Sequence, residues 1–552
     1  MSVHSSTGRR VQWIHWILLC CLLCLPLLQM GCPGVEPKAE VKGLVFPKTF
    51  EFGTAIAGFQ GDMGCPTLSA DKCNDTKSDW YQWVTSDFIK DKGGIFHSGD
   101  GIAQGPGQWE LYAGDYTLAK EKLNAKAQRL SLEWSRVFPT STEGVTGHEE
   151  LKKIANMEAI ATYRKMLKKL IELGIRPMVT LHHYSLPTWI HDGVGCHRDA
   201  AACKNKGWAD PERLIPEIVK YSGFVAKELG DLVDVWMTMN EPVSAVVLPA
   251  YLFQTEFRVN PPARSLAFED ARKAYIGMIE AHSKMYDAVK ANDKVDADKD
   301  GKATWIGIAY SAAPVYPKDP KRELDVKAAK NISYLVNDLF LDAIILGKFD
   351  KNLDGNQVDR PDLARCDFLG VNYYLKIEIR GDNEPTLPQL SKLMTADLNN
   401  LLEGKAFIVD YPQGVYDILK HVSKYKLPIW ISENGHEMRK KDGKVDDSGQ
   451  SQFMVRHLFW IHQAIKDGVD VRGYLYWSLV DNYEWNHGMK LRFGLFTWDD
   501  KDPKKARIPR AGVTTFQSIA KSGMLTVEML KKYLTDDEKK RISELLQSTD
   551  TP

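Results

Sequence analysis

Short apolar stretches alternate with amphipathic stretches along most of the chain. Eight apolar runs have strand character, at residues 50–57, 127–134, 176–181, 233–239, 304–310, 368–373, 428–432 and 471–477. Between them, apolar residues recur every three or four positions, which predicts helices over 149–173, 214–229, 268–291, 325–346, 414–425 and 450–467. This alternation predicts the α/β class: a single (β/α)8 TIM barrel over residues 46–525, with catalytic loops at the C-terminal ends of the strands.

The N-terminal residues 1–32 have the pattern of an export signal. Arg9 and Arg10 precede an apolar run over 13–28, which is short for a membrane span. Gly31-Cys32 resembles the cleavage and lipidation point of bacterial lipoproteins, so Cys32 is the lipidation candidate. We expect an exported protein, periplasmic or extracellular, either free or membrane-anchored as a lipoprotein. Residues 33–45 are predicted to form a tether and residues 526–552 a C-terminal helical extension.

Charge and motif content narrow the range of partners. Lys plus Arg and Asp plus Glu both total 72, which argues against nucleic acid as a partner. The sequence has no Gly-rich phosphate loop and no Cys/His metal spacing, so we expect no cofactor and no metal. Residues 296–301 and 350–355 match the first half of a calcium loop but lack its final glutamate. This favours solvated turns and leaves calcium binding open.

Four cysteines lie in two loops rich in Gly, Asp and Lys. Cys65 is close to Cys73, and Cys196 is close to Cys203. In an oxidising compartment this spacing favours two short-range disulfides, and cross-pairing between the loops stays open.

Two apolar strands end in a glutamate. The run before Glu241 ends in Asn240-Glu241-Pro242, and the run before Glu433 ends in Glu433-Asn434-Gly435. In a barrel, both carboxylates would face the same end of the strands. The pattern predicts a site with two carboxylates.

The other predicted strand ends carry amides, carboxylates and aromatic rings. A polyhydroxylated ligand requires such groups, because amides and carboxylates bind hydroxyls and aromatic faces support a sugar ring. The side chains concerned are Gln60, Arg129, Glu133, Trp134, His183, Asn372, Tyr374, Trp477, Glu484 and Trp485.

These motifs together resemble those of glycoside hydrolase family 1 β-glycosidases (β-glucosidases and β-galactosidases), most closely the archaeal-type branch. The matching segments are residues 52–64, 129–139, 238–242, 367–374, 431–435, 470–485 and 491–495. The resemblance implies that Glu241 is the acid/base and Glu433 the nucleophile. It also implies that Arg129 and Tyr374 keep Glu433 ionised, while the pKa of Glu241 is raised. Sugar binding is assigned by the same resemblance to Gln60, His183, Asn240, Asn372, Trp477, Glu484 and Trp485.

The implied activity is that of a retaining exo-β-glycosidase. It would remove a terminal β-D-glucosyl, galactosyl or fucosyl residue from small β-glycosides or oligosaccharides by double displacement. Lys490 and Arg492 leave a 6-phospho-β-glycosidase open, and a transglycosidase or a catalytically silent carbohydrate-binding relative are further alternatives. Two positions depart from the family pattern, since Tyr184 stands where a Trp is usual and Ser432 where a Thr is commoner.

Overall fold

The computed structural model describes residues 43–441 and 444–547. The predicted signal, Cys32 and the tether up to residue 42 lie outside the described residues. Eight parallel strands form a closed barrel in chain order, which confirms the predicted TIM barrel. They are β1 Glu51–Ala55, β2 Ala127–Ser131, β3 Arg176–His182, β4 Val235–Asn240, β5 Trp305–Ser311, β6 Phe368–Asn372, β7 Ile429–Asn434 and β8 Val471–Trp477.

One long helix follows each barrel strand. These are α1 Gln108–Leu123, α2 Met157–Glu172, α3 Pro211–Leu229, α4 Phe268–Asn292, α5 Glu323–Ser333, α6 Gln413–Val422, α7 Gln450–Lys466 and α8 Gly512–Ser522. After α5 the chain stays helical in wider turns as far as Leu346. Shorter helices lie in the connections, at Gly58–Asp62, Ala70–Cys73, Asp79–Thr85, Asp87–Lys92, Trp134–Val137, His148–Ile154, Gly193–Arg198, Leu248–Tyr251, Leu398–Leu402, Val527–Tyr533, Asp536–Lys540 and Ser543–Gln547.

The helix predicted over 149–173 is wrong as a continuous element. It consists of His148–Ile154 and α2, separated at Ala155 and Asn156. The Asn156 side chain accepts a hydrogen bond from the backbone N–H of Ala159 and so caps a new helix. The periodic stretch is therefore divided into two helices, and the capping residue Asn156 begins the second.

A three-stranded sheet outside the barrel follows strands β5 and β6. Its strands are Val315–Pro317, Leu375–Ile379 and Phe407–Val409, with Leu375–Ile379 in the centre. We call it the cap sheet. The sequence pattern did not predict it, because its strands are short and its third strand follows a long polar loop. Further short strand pairs join Gly43–Val45 to Met524–Thr526, Lys348–Phe349 to Val358–Asp359, Met438–Lys441 to Lys444–Val445 and Leu491–Arg492, and Phe496–Thr497 to Ile508–Pro509.

The C-terminal residues pack on the outside of helix α7. Glu538 forms an ion pair with Arg456 at 3.0 Å and accepts a hydrogen bond from Trp460 Nε1 at 2.9 Å. The strand pair between Gly43–Val45 and Met524–Thr526 spans the boundaries predicted near residues 45 and 525. In the described part of the chain, no helix has the length and apolar character needed to cross a bilayer.

The two short-range cysteine pairs are bonded in the structure. Cys65 is joined to Cys73 and Cys196 to Cys203, so the disulfides close loops within one segment rather than between segments.

In both aspartate-rich loops the first carboxylate accepts backbone N–H groups from the residues four and five positions later. Asp296 accepts from Asp300 and Gly301, and Asp350 accepts from Asp354 and Gly355. These aspartates act as turn acceptors.

Candidate active site

Glu433 lies near the end of strand β7 inside the barrel mouth, where two donors hold its carboxylate. Arg129 Nη1, from β2, donates to Glu433 Oε1, and the Tyr374 hydroxyl donates to Oε2 at 2.9 Å. The Arg129 guanidinium is fully buried and also donates from Nε to Thr180 Oγ1 at 2.9 Å. A buried, charge-assisted pair of this kind fixes the orientation of Glu433.

Glu241 follows the last residue of strand β4, where the backbone turns sharply. Its φ of 44° lies in the left-handed region, and Pro242 begins a wide helical turn immediately after it. The Tyr184 hydroxyl donates to Glu241 Oε2 at 2.6 Å, and Asn372 Nδ2 donates to Oε1 at 2.8 Å. Glu241 therefore has two neutral donors, whereas Glu433 has a cation.

Asn240 connects the two carboxylates. Its Oδ1 accepts from Arg129 Nη2 at 2.6 Å and from Asn372 Nδ2 at 3.0 Å, so it shares one partner with each glutamate. Its Nδ2 donates to the Tyr184 hydroxyl at 3.0 Å and to His183 Nε2 at 3.1 Å. His183 Nδ1 therefore carries the proton and donates to Ser131 Oγ at 2.9 Å. Burial and the Arg129 cation hold the pKa of His183 well below its usual range, so the ring is neutral.

The pKa of Glu433 differs from the expectation that Arg129 and Tyr374 keep this carboxylate fully ionised. Burial raises the pKa of Glu433 to about 7, the Arg129 cation opposes this rise, and the neighbouring Glu241 carboxylate adds to it. Desolvation outweighs Arg129 in the free protein, so Glu433 is only partly ionised near neutrality.

A second polar cluster faces the same space and is centred on Glu484, in the loop after strand β8. Gln60 Nε2 donates to Glu484 Oε2 at 2.7 Å, and Asn482 Nδ2 donates to the same oxygen at 3.3 Å. Arg258 Nη2 lies 3.5 Å from Glu484 Oε1. Burial raises the pKa of Glu484 to about 7, against the lowering effect of Arg258. Gln60 Oε1 and Arg258 Nη1 are buried and have no hydrogen-bond partner among the described residues, and both side chains line the cavity.

Aromatic rings form one side of this space. The His183 ring lies 6.0 Å from the rings of Trp477 and Trp485, in near-parallel orientation to both. A Cβ on Gly435 would lie 1.9 Å from the Trp477 carbonyl oxygen, so only glycine lets the end of β7 approach Trp477 this closely. Such flat apolar faces suit the C–H surface of a sugar ring.

The site lies in one cavity of about 580 Å³. Eight of the predicted site residues line it: Gln60, His183, Glu241, Tyr374, Glu433, Trp477, Glu484 and Trp485. Arg129, Asn240 and Asn372 are among the buried residues but lie behind the cavity surface. In this structure, then, the three residues orient the groups that face the ligand.

Five of the non-glycine residues that line the cavity have left-handed backbone conformations. Three of them are Tyr184, Glu241 and Trp485, with φ values of 70°, 44° and 51°, and the other two are Leu353 and Asp410, both with φ of 55°. Such conformations are unfavourable for bulky residues and are retained mainly where the surrounding structure and the function require them. Tyr184, Glu241 and Trp485 belong to the two-carboxylate site and the rings beside it, whereas Leu353 and Asp410 lie elsewhere on the cavity wall.

The model for glycosyl hydrolase family 1 matches residues 43–524 of the chain. The chain belongs to this family. It is 34% identical over 531 residues to a β-galactosidase of Pyrococcus woesei, a match covering 89% of this chain and 100% of that protein. It is 27% identical over 518 residues to a 6-phospho-β-galactosidase of Staphylococcus haemolyticus, covering 86% and 98%. The crystal structure of a β-glycosidase from the hyperthermophile Thermosphaera aggregans matches with a TM-score of 0.72 at 28% identity, covering 89% of this chain and 100% of that one.

Two residues of this family 1 site had no assigned role in the sequence interpretation. Arg258 was missed because it lies in an irregular segment between Leu248–Tyr251 and α4, outside the motifs. Tyr184 was noted only as a departure from the family pattern. In the structure it bonds both Glu241 and Asn240, and the Arg258 guanidinium lies 5.7 Å from the centre of its ring.

Glu133 and Trp134 are supporting residues rather than cavity residues. Glu133 accepts from the Phe59 N–H at 2.9 Å and from Ser185 Oγ, and burial raises its pKa to about 8. The Trp134 ring stacks on Tyr221 with centres 5.5 Å apart. Both residues hold the polypeptide beneath the site.

One group of three acidic residues among those described has oxygens close enough to share a cation. It comprises Asp234, Asp296 and Asp298, and Asp234 directly precedes strand β4. This is the opposite end of the barrel from the two-carboxylate site. The Asp234 carboxylate accepts the backbone N–H groups of Ala297 and Asp298, so loop closure accounts for the cluster.

Proposed function

We propose that the protein is a retaining exo-β-glycosidase that removes a terminal β-D-glucosyl, galactosyl or fucosyl residue. The observation that carries this proposal is the unequal treatment of two carboxylates in one cavity. Glu433 is paired with the Arg129 cation, which suits an anionic nucleophile, whereas Glu241 has neutral donors, which suits a group that exchanges protons.

In the first step, the Glu433 carboxylate attacks the anomeric carbon and Glu241 protonates the leaving oxygen. The glycosidic bond breaks and a glycosyl ester of Glu433 forms. In the second step, Glu241 removes a proton from water, whose oxygen attacks the same carbon and breaks the ester. Arg129 and Tyr374 support the departing carboxylate.

Recognition of an unphosphorylated sugar is favoured over a 6-phosphate. Glu484 and Gln60 face the cavity together, and a carboxylate there repels a phosphate but accepts hydroxyl hydrogens. Neither Lys490 nor Arg492 is among the described residues that line the cavity. Arg492 lies 3.6 Å from Asp481 instead.

We also propose that the protein is exported from the cytoplasm before it acts. The N-terminal pattern supports it, as do two disulfides, which persist in oxidising compartments. We propose a periplasmic or extracellular enzyme, either free or anchored through Cys32.

The test compares wild type with Glu433→Ala, Glu241→Ala and the exposed control Glu150→Ala on nitrophenyl β-glucoside and its 6-phosphate. We expect wild type and the control to cleave the unphosphorylated substrate, and Glu433→Ala to lose at least about a hundredfold in kcat/KM. Glu241→Ala should lose chiefly in kcat, because nitrophenolate leaves without protonation whereas hydrolysis of the ester needs the base. NMR of the first product should show the β-anomer. An α-anomer first would mean inversion, and equal near-zero rates in wild type and Glu433→Ala would favour a silent carbohydrate-binding protein.

Added azide separates the two roles. In Glu433→Ala it can replace the missing nucleophile and give an α-glycosyl azide. In Glu241→Ala it can attack the glycosyl ester and give a β-glycosyl azide. The reverse pattern would exchange the roles of the two glutamates.

A further inference from the structure

The cavity continues past the sugar-binding residues into an apolar space. We call this space the apolar chamber and define it by Leu335, Leu375, Ile377, Met394, Phe407 and Val409, all of which line the cavity. Leu335 and Met394 are each only 7% exposed. The chamber is therefore a recess of the active-site cavity and not an open surface.

The cap sheet supplies one wall of the chamber. Leu375 pairs with Val409 and Ile377 with Phe407 across two antiparallel strands. Because side chains alternate between the two faces of a strand, these four residues share one face. On the central strand, Lys376 and Glu378 lie on the other face and form a salt bridge at 2.8 Å. The sheet thus presents its apolar side to the cavity.

Three polar side chains along this wall already have internal partners, whereas Ser244 Oγ, in the turn after Glu241, has none among the described residues. The Tyr275 hydroxyl donates to the Leu335 carbonyl at 2.9 Å, and the Asn337 amide bonds the backbone of Ala313. Ser391 Oγ donates to the Leu353 carbonyl. A second sugar residue would lose its hydration here without equivalent hydrogen bonds, which is costly. An apolar group would incur no such cost.

The mouth of the chamber carries large apolar side chains beside the exposed Asp410. Phe257 and Val409 both line the cavity, although they are 39% and 48% exposed. The Phe257 ring lies edge-on to Phe407, with centres 5.5 Å apart. Large apolar side chains at an entrance provide a path for an apolar substituent.

The chamber adjoins the acid/base carboxylate. Several residues of the wide turn that follows Glu241, among them Val243, Ala245 and Val247, line the same cavity. In the proposed mechanism Glu241 protonates the leaving oxygen, so the leaving group lies on this side. We infer that the chamber receives the leaving group and that the substrates are β-glycosides of apolar alcohols. This inference rests on the proposed function.

The first experiment measures kcat/KM for methyl, butyl, hexyl and octyl β-glucosides and β-galactosides on the full-length protein. Burial of each methylene is expected to raise kcat/KM about two- to fourfold, so octyl should exceed methyl by about a hundredfold or more. Cellobiose and lactose should be cleaved less efficiently than the octyl glycosides. A flat alkyl series, or a preference for the disaccharides, would overturn the inference.

Two chamber variants locate the effect. Val409→Asp places a charge at the mouth, and Ile377→Phe reduces the space at the wall. Both should lower the octyl-to-methyl ratio of kcat/KM by about tenfold, because a charge or a clash opposes entry of the chain. Val358→Asp is the matched control, since Val358 is also an exposed strand residue, at 57%, but does not line the cavity. An equal change in all three variants would contradict a specific chamber effect.

Failure of the proposed function is distinguishable from failure of this inference. If wild type hydrolysed no β-glycoside, the hydrolysis proposal would be wrong. Calorimetric binding of octyl and methyl β-thioglucosides, which resist hydrolysis, would then test the chamber directly. Tighter binding of the octyl compound, reduced in Val409→Asp, would support the chamber, and equal binding would contradict it.

Discussion

At the scale of single residues, the site depends on the ionisation of Glu433, whose carboxyl group is buried. Burial and Arg129 act on its pKa in opposite directions, and burial prevails. In the proposed mechanism only the ionised form attacks the sugar. Activity of the free enzyme should therefore fall as the pH drops through about 7, the pKa of Glu433.

Tyr374→Phe should move this acidic limb to higher pH. The Tyr374 hydroxyl donates to Glu433 and lowers its pKa, so removal of the hydroxyl raises it. A hydrogen bond to a charged group contributes about 1.5–3 kcal/mol, which corresponds to a shift of about one pH unit or more. The pH profile of kcat/KM measures the shift.

Tyr373→Phe is the control for that variant. Tyr373 is the neighbouring residue, is fully buried and donates to the Tyr411 carbonyl, away from both glutamates. Its loss should leave the acidic limb in place. Equal profiles for Tyr374→Phe and wild type would show that Tyr374 does not set the ionisation of Glu433.

Arg258→Met should weaken sugar binding more than turnover. Arg258 lowers the pKa of Glu484, so its removal leaves Glu484 protonated to higher pH and less able to accept sugar hydroxyls. We expect KM at pH 7 to rise about tenfold, with partial recovery in Arg258→Lys. Arg264→Met, which instead breaks an ion pair with Asp270, is the control. An unchanged KM in Arg258→Met would contradict this role.

At the scale of elements, a strand or helix could be predicted from the sequence where its local hydrophobic pattern matches its position in the fold. Strands β4 and β7 were recognisable because continuous apolar residues are typical of barrel strands and their polar ends stand out. The break at Asn156 was not recognised, because the apolar spacing continues across it and the cap depends on local geometry. The cap sheet depends on pairing between segments far apart in the chain, which periodicity does not report.

The predicted and the unpredicted residues of the site differ in whether they lie in a compact motif. Glu241 and Glu433 lie in compact motifs at strand ends, so resemblance found them. Arg258 enters the cavity from an irregular segment, and only the fold brings it to Glu484. The apolar chamber is likewise a product of several elements, since no single segment of the sequence contains it.

At the scale of the whole molecule, buried carboxyl groups make folding stability depend on pH. Burial raises the pKa of Glu133 to about 8 and that of Asp62 to about 7. Above the ordinary glutamate range, the unfolded chain has already released these protons while the folded protein still holds them. The contribution of these two carboxyl groups to stability should therefore decrease as the pH rises from about 5 to about 8.

Glu133→Gln should flatten this dependence without loss of packing. A glutamine can still accept from the Phe59 N–H, and its amide can donate to Ser185 Oγ once the serine hydroxyl, which donates to Glu133 in the structure, turns away. It binds no proton, so it removes a slope of up to about 1.4 kcal/mol per pH unit between those limits. Free energies of unfolding in urea at pH 5, 6, 7 and 8 measure the slope. The exposed variant Glu149→Gln should run parallel to wild type, and a Glu133→Gln curve that also ran parallel would show that Glu133 is ionised in the folded protein across this range.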